Sequence, residues 1–195
     1  MLYTINMPLV IIISGPPGSG KTTLAHKLAS TLQLPLVSRD AIKKTIAATF
    51  NKSNARFSKQ ISKESYEILL SKCEQLLEMD HSFIVESNFQ PAFANATFRK
   101  LQQKHVFIAV QIYFTAAVEI LYERFKRRED AGDRHPGHND ENVTLEKFAH
   151  TIQNKFGPLK INGRLIQLNT NDFEKVDMKR LVTDMQNTLS DMQST

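Results

Sequence analysis

The chain of 195 residues carries 25 Lys and Arg side chains against 20 Asp and Glu side chains, a formal net charge of +5. This length is typical of one domain that buries a core without disulfide bonds or structural metal, so we expect residues 1–195 to form a single domain. A hydrophobic fraction of 41% and a charged fraction of 23% exclude a disordered or fibrous protein. The single cysteine, Cys73, excludes a disulfide framework and a cysteine-rich zinc site, and we expect it to pack within a helix.

No apolar run approaches the roughly 18 residues that a transmembrane helix needs. The apolar stretch 7–13 has no basic region before it and no small-residue cleavage site after it. It therefore predicts a buried strand rather than a signal peptide. We expect a cytoplasmic protein with no membrane partner.

Strand and helix patterns alternate along the chain. Apolar, β-branched runs bounded by Gly, Pro and polar residues predict strands, and apolar residues at intervals of three and four predict helices. In the first half these patterns predict a strand at 9–13, a helix at 21–32, a strand at 36–37, a helix at 40–49, a polar loop at 51–59, a helix at 62–79 and a strand at 83–85.

The second half continues the alternation. Strands separated by helices indicate parallel βαβ units with helices on both faces, so the predicted fold class is α/β. Ligands in such sheets bind at the carboxyl ends of the strands, and the residues after each strand are therefore candidates for function. The predicted elements are a helix at 91 to about 104, a strand at 106–114, a helix at 115–129, a Gly/Pro/His loop at 131–142, a helix at 142–156 with Thr144 as a possible cap, a strand at 164–168 and a helix at 172–192.

Residues 15–22 match the phosphate-binding loop pattern G-x-x-x-x-G-K-[ST] and lie between a predicted strand and a predicted helix. Glycines allow the tight turn that points N–H groups at phosphate oxygens, and the following helix adds the positive end of its dipole. We expect Lys21 to reach the β- and γ-phosphates and the Thr22 hydroxyl to bind Mg²⁺. The alternative is a glycine-rich turn without a ligand. The predicted nucleotide-binding residues are Gly15, Pro16, Pro17, Gly18, Ser19, Gly20, Lys21, Thr22 and Thr23.

An acidic residue follows the second predicted strand. Asp40 is expected at the carboxyl end of a strand adjacent to the phosphate-loop strand. A carboxylate at this place would accept the proton of an acceptor hydroxyl during phosphoryl transfer. The alternative is that Asp40 caps its helix. Lys43 lies one turn further along the same helix and would hold the substrate or a phosphate.

Glu86 follows the third predicted strand at the Walker B position, where an acid orients Mg²⁺ or its water ligands. The residue after it is Ser87, so the Asp-Glu pair of motor ATPases is missing. The alternative is a structural acid at the end of a strand. Asn88 is a candidate substrate contact.

The helix after the fourth strand carries a basic cluster. Arg124 and Arg128 are four residues apart and share one helix face. Arginine forks stabilise the charge on transferring phosphoryl oxygens, so these side chains predict a lid over the nucleotide, with glycines at 132 and 137 allowing it to move. The alternative is a solvated charged helix. His135 and His138 lack the spacing of a helical metal pair and are placed in the lid loop.

The segment 39–63 is strongly basic, with Asp40 as its only acid, and should carry a positive field. This charge favours an anionic acceptor. Phe50 and Phe57 are its only phenylalanines, which gives weak support to a single-strand stacking platform. The basic residues are Arg39, Lys43, Lys44, Lys52, Arg56, Lys59 and Lys63.

In these motifs the chain resembles the small P-loop kinases that phosphorylate hydroxyl groups, among them phage polynucleotide kinase, chloramphenicol phosphotransferase, gluconate kinase and zeta toxins. The phosphate loop, Arg39-Asp40-x-x-Lys43, the segment 83–89 and the arginine lid at about 124–140 occur in the family's order. The resemblance implies a P-loop NTPase three-layer sandwich of about five parallel strands, with the phosphate-loop strand in the centre.

The resemblance also implies residue roles. The family's catalytic Asp falls on Asp40, and its paired lid arginines fall on Arg124 and Arg128. Its strand-end acid, usually Asp, falls on Glu86 here. Its substrate-phosphate arginine falls on Lys43, a departure that weakens the case for a nucleic-acid substrate. Arg39 and Asn88 are assigned to the substrate side, and the segment 168–172 resembles the loop that borders the adenine.

Together these observations predict an ATP- and Mg²⁺-dependent phosphotransferase with a small-molecule or nucleotide-like hydroxyl acceptor. A 5′-hydroxyl polynucleotide, a nucleotide-sugar and a phosphorylated metabolite all fit the positive field. The main alternative is a nucleotide-dependent ATPase or switch without an acceptor. The missing Asp-Glu pair argues against a motor ATPase, and the lack of an N/T-K-x-D motif argues against a GTPase. A nucleic-acid binder with a vestigial loop is disfavoured by the intact Lys21 and Thr22.

Overall fold

A computed structural model describes residues 7–50, 55–130 and 143–193. Its centre is one five-stranded sheet in the order β2-β3-β1-β4-β5, and every neighbouring pair is parallel. The predicted α/β fold, with the phosphate-loop strand in the centre, is confirmed. The strands are β1 (Leu9–Ser14), β2 (Leu36–Ser38), β3 (Phe83–Glu86), β4 (Ile108–Thr115) and β5 (Arg164–Asn169).

Helices cover both faces of the sheet. The first and last helices pack together on one face, and the two helices that flank β3 pack on the other. Cys73 is a buried helix residue, as predicted, and it lies in this second layer, where burial raises the pKa of its thiol to about 12. The helices are α1 (Lys21–Leu32), α2 (Arg39–Phe50), α3 (Ala55–Glu78), α4 (Pro91–Lys104), α5 (Val118–Asp130), α6 (Leu145–Lys155) and α7 (Met178–Gln193), with a 3₁₀ turn at Phe173–Lys175.

The central strand β1 is buried along its whole length because both faces are covered. Val10 and Ile12 enter the core beneath α3 and α4, and Leu9, Ile11 and Ile13 enter the core beneath α1 and α7. Full burial of such a side chain contributes about 1.5–3 kcal/mol. This strand therefore anchors the phosphate loop that begins at its carboxyl end.

Several predicted boundaries in the middle of the chain are wrong, including the start of β4, which is Ile108 instead of 106. Helix α3 begins at Ala55, so the predicted loop at 51–59 is helical over its described part. This polar run contains no Gly or Pro that would stop a helix. Strand β4 continues to Thr115, which pairs with Asn169, and α5 therefore begins at Val118 instead of 115.

Side-chain caps set the starts of the last two helices. Thr144 caps α6 by accepting a hydrogen bond from the Lys147 N–H at 3.3 Å, which confirms the predicted cap. The last helix was predicted from 172 but begins at Met178. Asp172 caps the preceding 3₁₀ turn, and Asp177 accepts the Arg180 N–H at 2.9 Å at the start of α7.

The strand that leads to Asp40 has a different neighbour from the one predicted. Strand β2 forms an edge of the sheet and pairs only with β3, so it is not adjacent to the phosphate-loop strand β1. Strand β3 lies between them, and Glu86 pairs with Ser38 on one side and with Ile13 on the other. Glu86 therefore lies between the phosphate loop and the start of α2.

Every helix in the described part of the chain is too short or too polar to cross a membrane.

Candidate functional site

The phosphate loop is in close contact with two distant parts of the chain. At Gly18, φ is +80° and an added Cβ would lie 2.5 Å from the Leu121 carbonyl oxygen in α5. At Gly20, φ is +84° and an added Cβ would overlap the Phe173 ring. Only glycine accepts both the left-handed backbone and these approaches. Helix α5 and the 3₁₀ turn after β5 are therefore walls of the loop.

The amino end of α1 points its backbone donors into the loop. Gly20 is the residue before the helix, and no side chain caps the first turn. The first N–H groups of a helix have no partner within the helix, and the helix dipole adds positive potential at this end. This arrangement binds anions such as phosphate.

Lys21 is folded back into the loop and is 8% exposed. Its Nζ donates to the Pro16 carbonyl at 2.8 Å and lies 3.5 Å from Ser19 Oγ. Burial lowers the pKa of Lys21 to about 8, the negative charges of Glu86 and Asp40 oppose this shift, and the charge of Arg128 adds to it. The structure therefore brings four predicted site residues within electrostatic range: Lys21, Asp40, Glu86 and Arg128.

Nucleotide binding is expected to take up protons through Lys21. Phosphate oxygens raise the pKa of a neighbouring ammonium, so a group with a pKa of about 8 gains a proton on binding. The expected uptake from this group is about half a proton at pH 8 and about a tenth at pH 7. Calorimetric titration with a non-hydrolysable ATP analogue, in buffers of different ionisation enthalpy, measures it.

The matched control for this titration is Lys21→Arg, because the guanidinium stays protonated throughout this range and contributes no uptake. The apparent affinity of the wild-type protein should also fall as the pH rises above about 8, since the neutral amine must first be protonated. An uptake at pH 8 that is equal in both proteins would assign the proton to another group.

Glu86 is 1% exposed and is held by two hydroxyl groups. Thr22 Oγ1 donates to Oε1 at 3.2 Å, and Ser38 Oγ donates to Oε2 at 2.9 Å. Burial raises the pKa of Glu86, while the charge of Lys21 and the two hydroxyl donors lower it. A hydroxyl and a carboxylate side by side form the hard oxygen donor set that Mg²⁺ prefers. Thr22 and Glu86 therefore fit the predicted metal site.

Asp40 is the second residue of α2 and is exposed. The hydroxyl that caps this helix belongs to Ser38, which accepts the Ala41 N–H at 3.5 Å. The Asp40 carboxylate lies close enough to raise the pKa of Lys21. The helix is therefore capped by Ser38 and not by Asp40. This leaves the Asp40 carboxylate available for chemistry at the phosphate loop.

The structure brings together Arg39 and Asn88, which were both predicted to lie on the substrate side. Arg39 Nη1 lies 3.4 Å from Asn88 Oδ1, and Nη2 donates to the Ser62 carbonyl at 2.7 Å. The same guanidinium lies 5.6 Å from the centroid of the Tyr66 ring. Arg39 thus links α2 to α3 and to the end of β3. Lys43 lies one turn further along α2 and is half-buried.

The two predicted lid arginines have different surroundings. Arg124 donates to the carbonyls of Thr170 at 2.8 Å and Asn171 at 3.1 Å, and its guanidinium lies 5.4 Å from the Phe173 ring centroid. Arg128 is exposed one turn further along, and its charge lowers the pKa of Lys21. The remainder of the predicted lid, with His135 and His138, lies outside the described residues.

Sequence reasoning missed Ser38, Tyr66 and Thr170. Thr170 is fully buried, and its Oγ1 lies 3.2 Å from the Ser19 carbonyl and 3.1 Å from the Thr115 carbonyl. It therefore joins the phosphate loop to the ends of β4 and β5. A threonine 151 positions away in the chain gives no local signal for this contact. For Ser38 a local signal did exist, because a serine between a strand and the start of a helix is a typical helix cap.

Comparisons with known proteins identify the family of the chain and relatives of its fold. A family model described as an AAA domain matches residues 10–155, three quarters of the chain. A cytidylate kinase of Saccharolobus islandicus (strain L.S.2.15 / Lassen #1) is 39% identical over 80 residues, which are 36% of this chain and 42% of that protein. The chain thus matches less than half of the length of this curated relative.

Two solved structures share the fold. A protein of Chloroflexus aurantiacus J-10-fl, described provisionally as a kinase, has a TM-score of 0.85 and 30% identity, over 93% of this chain and 98% of that chain. The APS kinase of Mycobacterium tuberculosis, solved with AMPPNP and APS, has a TM-score of 0.59 and 14% identity, over 97% of this chain and 99% of that chain. The second likeness concerns the fold alone.

The matched range, residues 10–155, contains the phosphate loop, Asp40, Glu86 and both predicted lid arginines. The likeness to the Chloroflexus structure extends over nearly the whole of both chains. The chain therefore belongs to the AAA domain family that this model describes, and it has the architecture of the small P-loop kinases.

Proposed function

We propose that the protein is an ATP- and Mg²⁺-dependent phosphotransferase that moves the γ-phosphate to a hydroxyl group of an anionic acceptor. The observation that carries this proposal is the exposed carboxylate of Asp40 at the start of α2, within electrostatic range of the buried Lys21 of the phosphate loop. A carboxylate at this place can accept the proton of an attacking hydroxyl. The family and the structural likeness support the kinase class.

Each group at the loop has a role in this proposal. The first turn of α1 and the Lys21 ammonium hold the phosphate oxygens. Thr22 and Glu86 would hold Mg²⁺, which supplies positive charge to the β- and γ-phosphate oxygens when bound. Arg128, whose charge already acts on Lys21, offsets charge on the transferring group. Arg124 holds the 170–171 loop and would reach the nucleotide from that side.

Asp40 acts on the acceptor. Its carboxylate accepts the proton of the acceptor hydroxyl while the hydroxyl oxygen bonds to the γ-phosphorus. The bond from that phosphorus to the β–γ bridging oxygen breaks, and ADP leaves with the electron pair. The products are the phosphorylated acceptor, ADP and a proton on Asp40 that passes to solvent. Arg39, Lys43 and Asn88 would orient the acceptor.

The acceptor class follows from charge. Arg39 and Lys43 lie on the same helix as Asp40 and belong to a segment with a single acid, which favours an anionic acceptor.

A second candidate acceptor is a nucleoside monophosphate, which the partial identity to cytidylate kinases favours. The two candidates differ in chemistry, because a phosphate acceptor is already ionised near neutral pH and needs no general base.

Transfer of labelled γ-phosphate from ATP to separate acceptor pools tests the proposal. The pools are nucleotide-sugars, phosphorylated sugars, nucleosides, hydroxylated antibiotics, 5′-hydroxyl oligonucleotides and nucleoside monophosphates, with Asp40→Asn protein assayed in parallel. We expect label in one pool of anionic hydroxyl compounds and its loss in Asp40→Asn. Label in the monophosphate pool, equal in both proteins, would favour the second candidate. Label released only as free phosphate by both proteins would contradict the proposal.

A further inference from the structure

Ser38 contacts both halves of the proposed site. It is the last residue of β2, it pairs in register with Glu86 of β3, and it immediately precedes α2. The residue is 6% exposed. The position therefore connects the strand that carries the metal-side acid to the helix that carries Asp40.

The hydrogen bonds of this one hydroxyl explain the connection. A serine hydroxyl offers one donor and two acceptor lone pairs. Ser38 uses the donor on Glu86 Oε2 at 2.9 Å and accepts the Ala41 N–H at 3.5 Å. Ala41 directly follows Asp40 in the first turn of α2. A single side chain thus binds the Glu86 carboxylate and the turn that carries the proposed base.

The other oxygen of Glu86 accepts the hydroxyl of Thr22 at 3.2 Å. With its proton donated to Glu86, Thr22 Oγ1 keeps its lone pairs for a cation. The Thr22 hydroxyl keeps this orientation only while the Glu86 carboxylate stays at the same angle about its terminal torsion. That torsion rotates easily in glutamate. The hydrogen bond from Ser38 to Oε2 fixes that rotation from the opposite side.

We infer that Ser38 is a positioning residue that sets the Thr22–Glu86 metal site and the Asp40 turn at a fixed distance from each other. The inference rests on the proposed phosphotransfer and extends it to a residue whose hydroxyl bonds to Glu86 and to the Ala41 N–H, and to which the proposal assigns no contact with ATP or the acceptor hydroxyl. Partners that orient metal ligands from outside typically contribute about 10–100-fold to metal affinity or activity.

The test compares Ser38→Ala and Ser38→Thr with the control Ser82→Ala. Ser82 lies beside the opposite end of β3, where its Oγ accepts the Leu9 N–H at 2.8 Å. The control thus removes a serine hydroxyl bonded to the sheet backbone, away from the loop. Two quantities are measured: the Mg²⁺ concentration that half-saturates binding of a non-hydrolysable ATP analogue, and kcat and KM with the acceptor found above.

For Ser38→Ala we expect kcat to fall by about tenfold or more and the half-saturating Mg²⁺ concentration to rise by a similar factor. KM for the acceptor should change less, because no acceptor contact is lost. Ser38→Thr keeps the hydroxyl and should restore both quantities to within a few-fold of wild type, whereas Ser82→Ala should lower only thermal stability. If Ser38→Ala does not fold, Ser38→Cys, a weaker donor of similar volume, replaces it.

The outcomes separate the two proposals. If the wild-type protein transfers phosphate, and Ser38→Ala matches Ser82→Ala in kcat and in Mg²⁺ dependence, the role of Ser38 is overturned and the proposed function stands. Failure of Ser38→Thr to restore either quantity also overturns it, since a fitted hydroxyl would then be insufficient. A wild-type protein that binds nucleotide but phosphorylates no acceptor overturns the proposed function itself.

Discussion

Replacing Lys21 by alanine is expected to reduce phosphate transfer by at least about 10³-fold, because the change removes a buried positive charge aimed at the phosphates. Lys21 is the one side-chain cation of the loop itself, and its Nζ is held by the Pro16 carbonyl within that loop. Water that fills the volume left by the Lys21 side chain cannot replace a fixed positive charge in a buried site. Steady-state transfer from labelled ATP measures the loss, and calorimetry reports whether the nucleotide still binds.

Lys27→Ala is the matched control for this change. Lys27 lies on the same helix α1 but is exposed. Its loss changes the net charge equally and should leave transfer within about twofold of wild type, since an exposed charge is screened by solvent. A Lys21→Ala protein that retains more than a tenth of wild-type activity would refute the role of Lys21 in the proposed site.

Replacing Asp40 by asparagine is expected to lower kcat by about 10²–10⁴-fold while nucleotide binding changes only a few-fold. The amide has nearly the shape of the carboxylate but does not accept the hydroxyl proton. Asp40 is exposed, and the cap of α2 is supplied by Ser38, so the fold should tolerate the change. The assay is kcat at saturating ATP and acceptor, with binding of an ATP analogue measured on the same preparation.

Asp80→Asn controls for a general effect of this substitution. Asp80 is exposed just after α3 and has a φ of +53°, a conformation that asparagine adopts as easily as aspartate. Activity of this variant should equal that of wild type. If Asp40→Asn loses less than tenfold with a hydroxyl acceptor, Asp40 is not the general base. The same small loss with a nucleoside monophosphate is what an ionised acceptor predicts.

The parts of the fold that follow from local pattern were predictable. Strand β1 is buried on both faces, so its existence follows from the continuous apolar run 9–13, while its central place was implied by the resemblance to the P-loop kinases. The phosphate loop is a local backbone structure, and eight consecutive residues specify it. The Thr144 cap is local too, since donor and acceptor are three residues apart. In each of these cases the determining contacts lie within one turn or one strand.

The order of strands is not local, and here the prediction for β2 is wrong. A three-residue strand leads to Asp40, and the pattern of these residues does not distinguish β1 from β3 as its neighbour. The start of α5 depends on pairing between Thr115 and Asn169, which are far apart in the chain. Both features are decided when the sheet assembles, so they cannot be read from a window of sequence.

Side-chain partners at the site were the least predictable. The spacing of Arg124 and Arg128 places them on one helix face, yet Arg124 binds the 170–171 carbonyls while Arg128 acts on Lys21. Their surroundings are set by the loop after β5, which no helix periodicity encodes. Ser38 likewise binds Glu86 across 48 positions, and only the register of β2 with β3 brings the two together.

The walls of the phosphate loop also bear on the order in which the chain can acquire a ligand. Thr170 and Phe173 contact Ser19 and Gly20, and both follow the edge strand β5, the last strand of the sheet to be made. The loop motif and its central strand β1 precede β5 and these two residues in the chain, so they are synthesised first. The proposed nucleotide site is therefore completed by residues made after the loop itself, and a bound nucleotide would stabilise the fold in which these contacts are present.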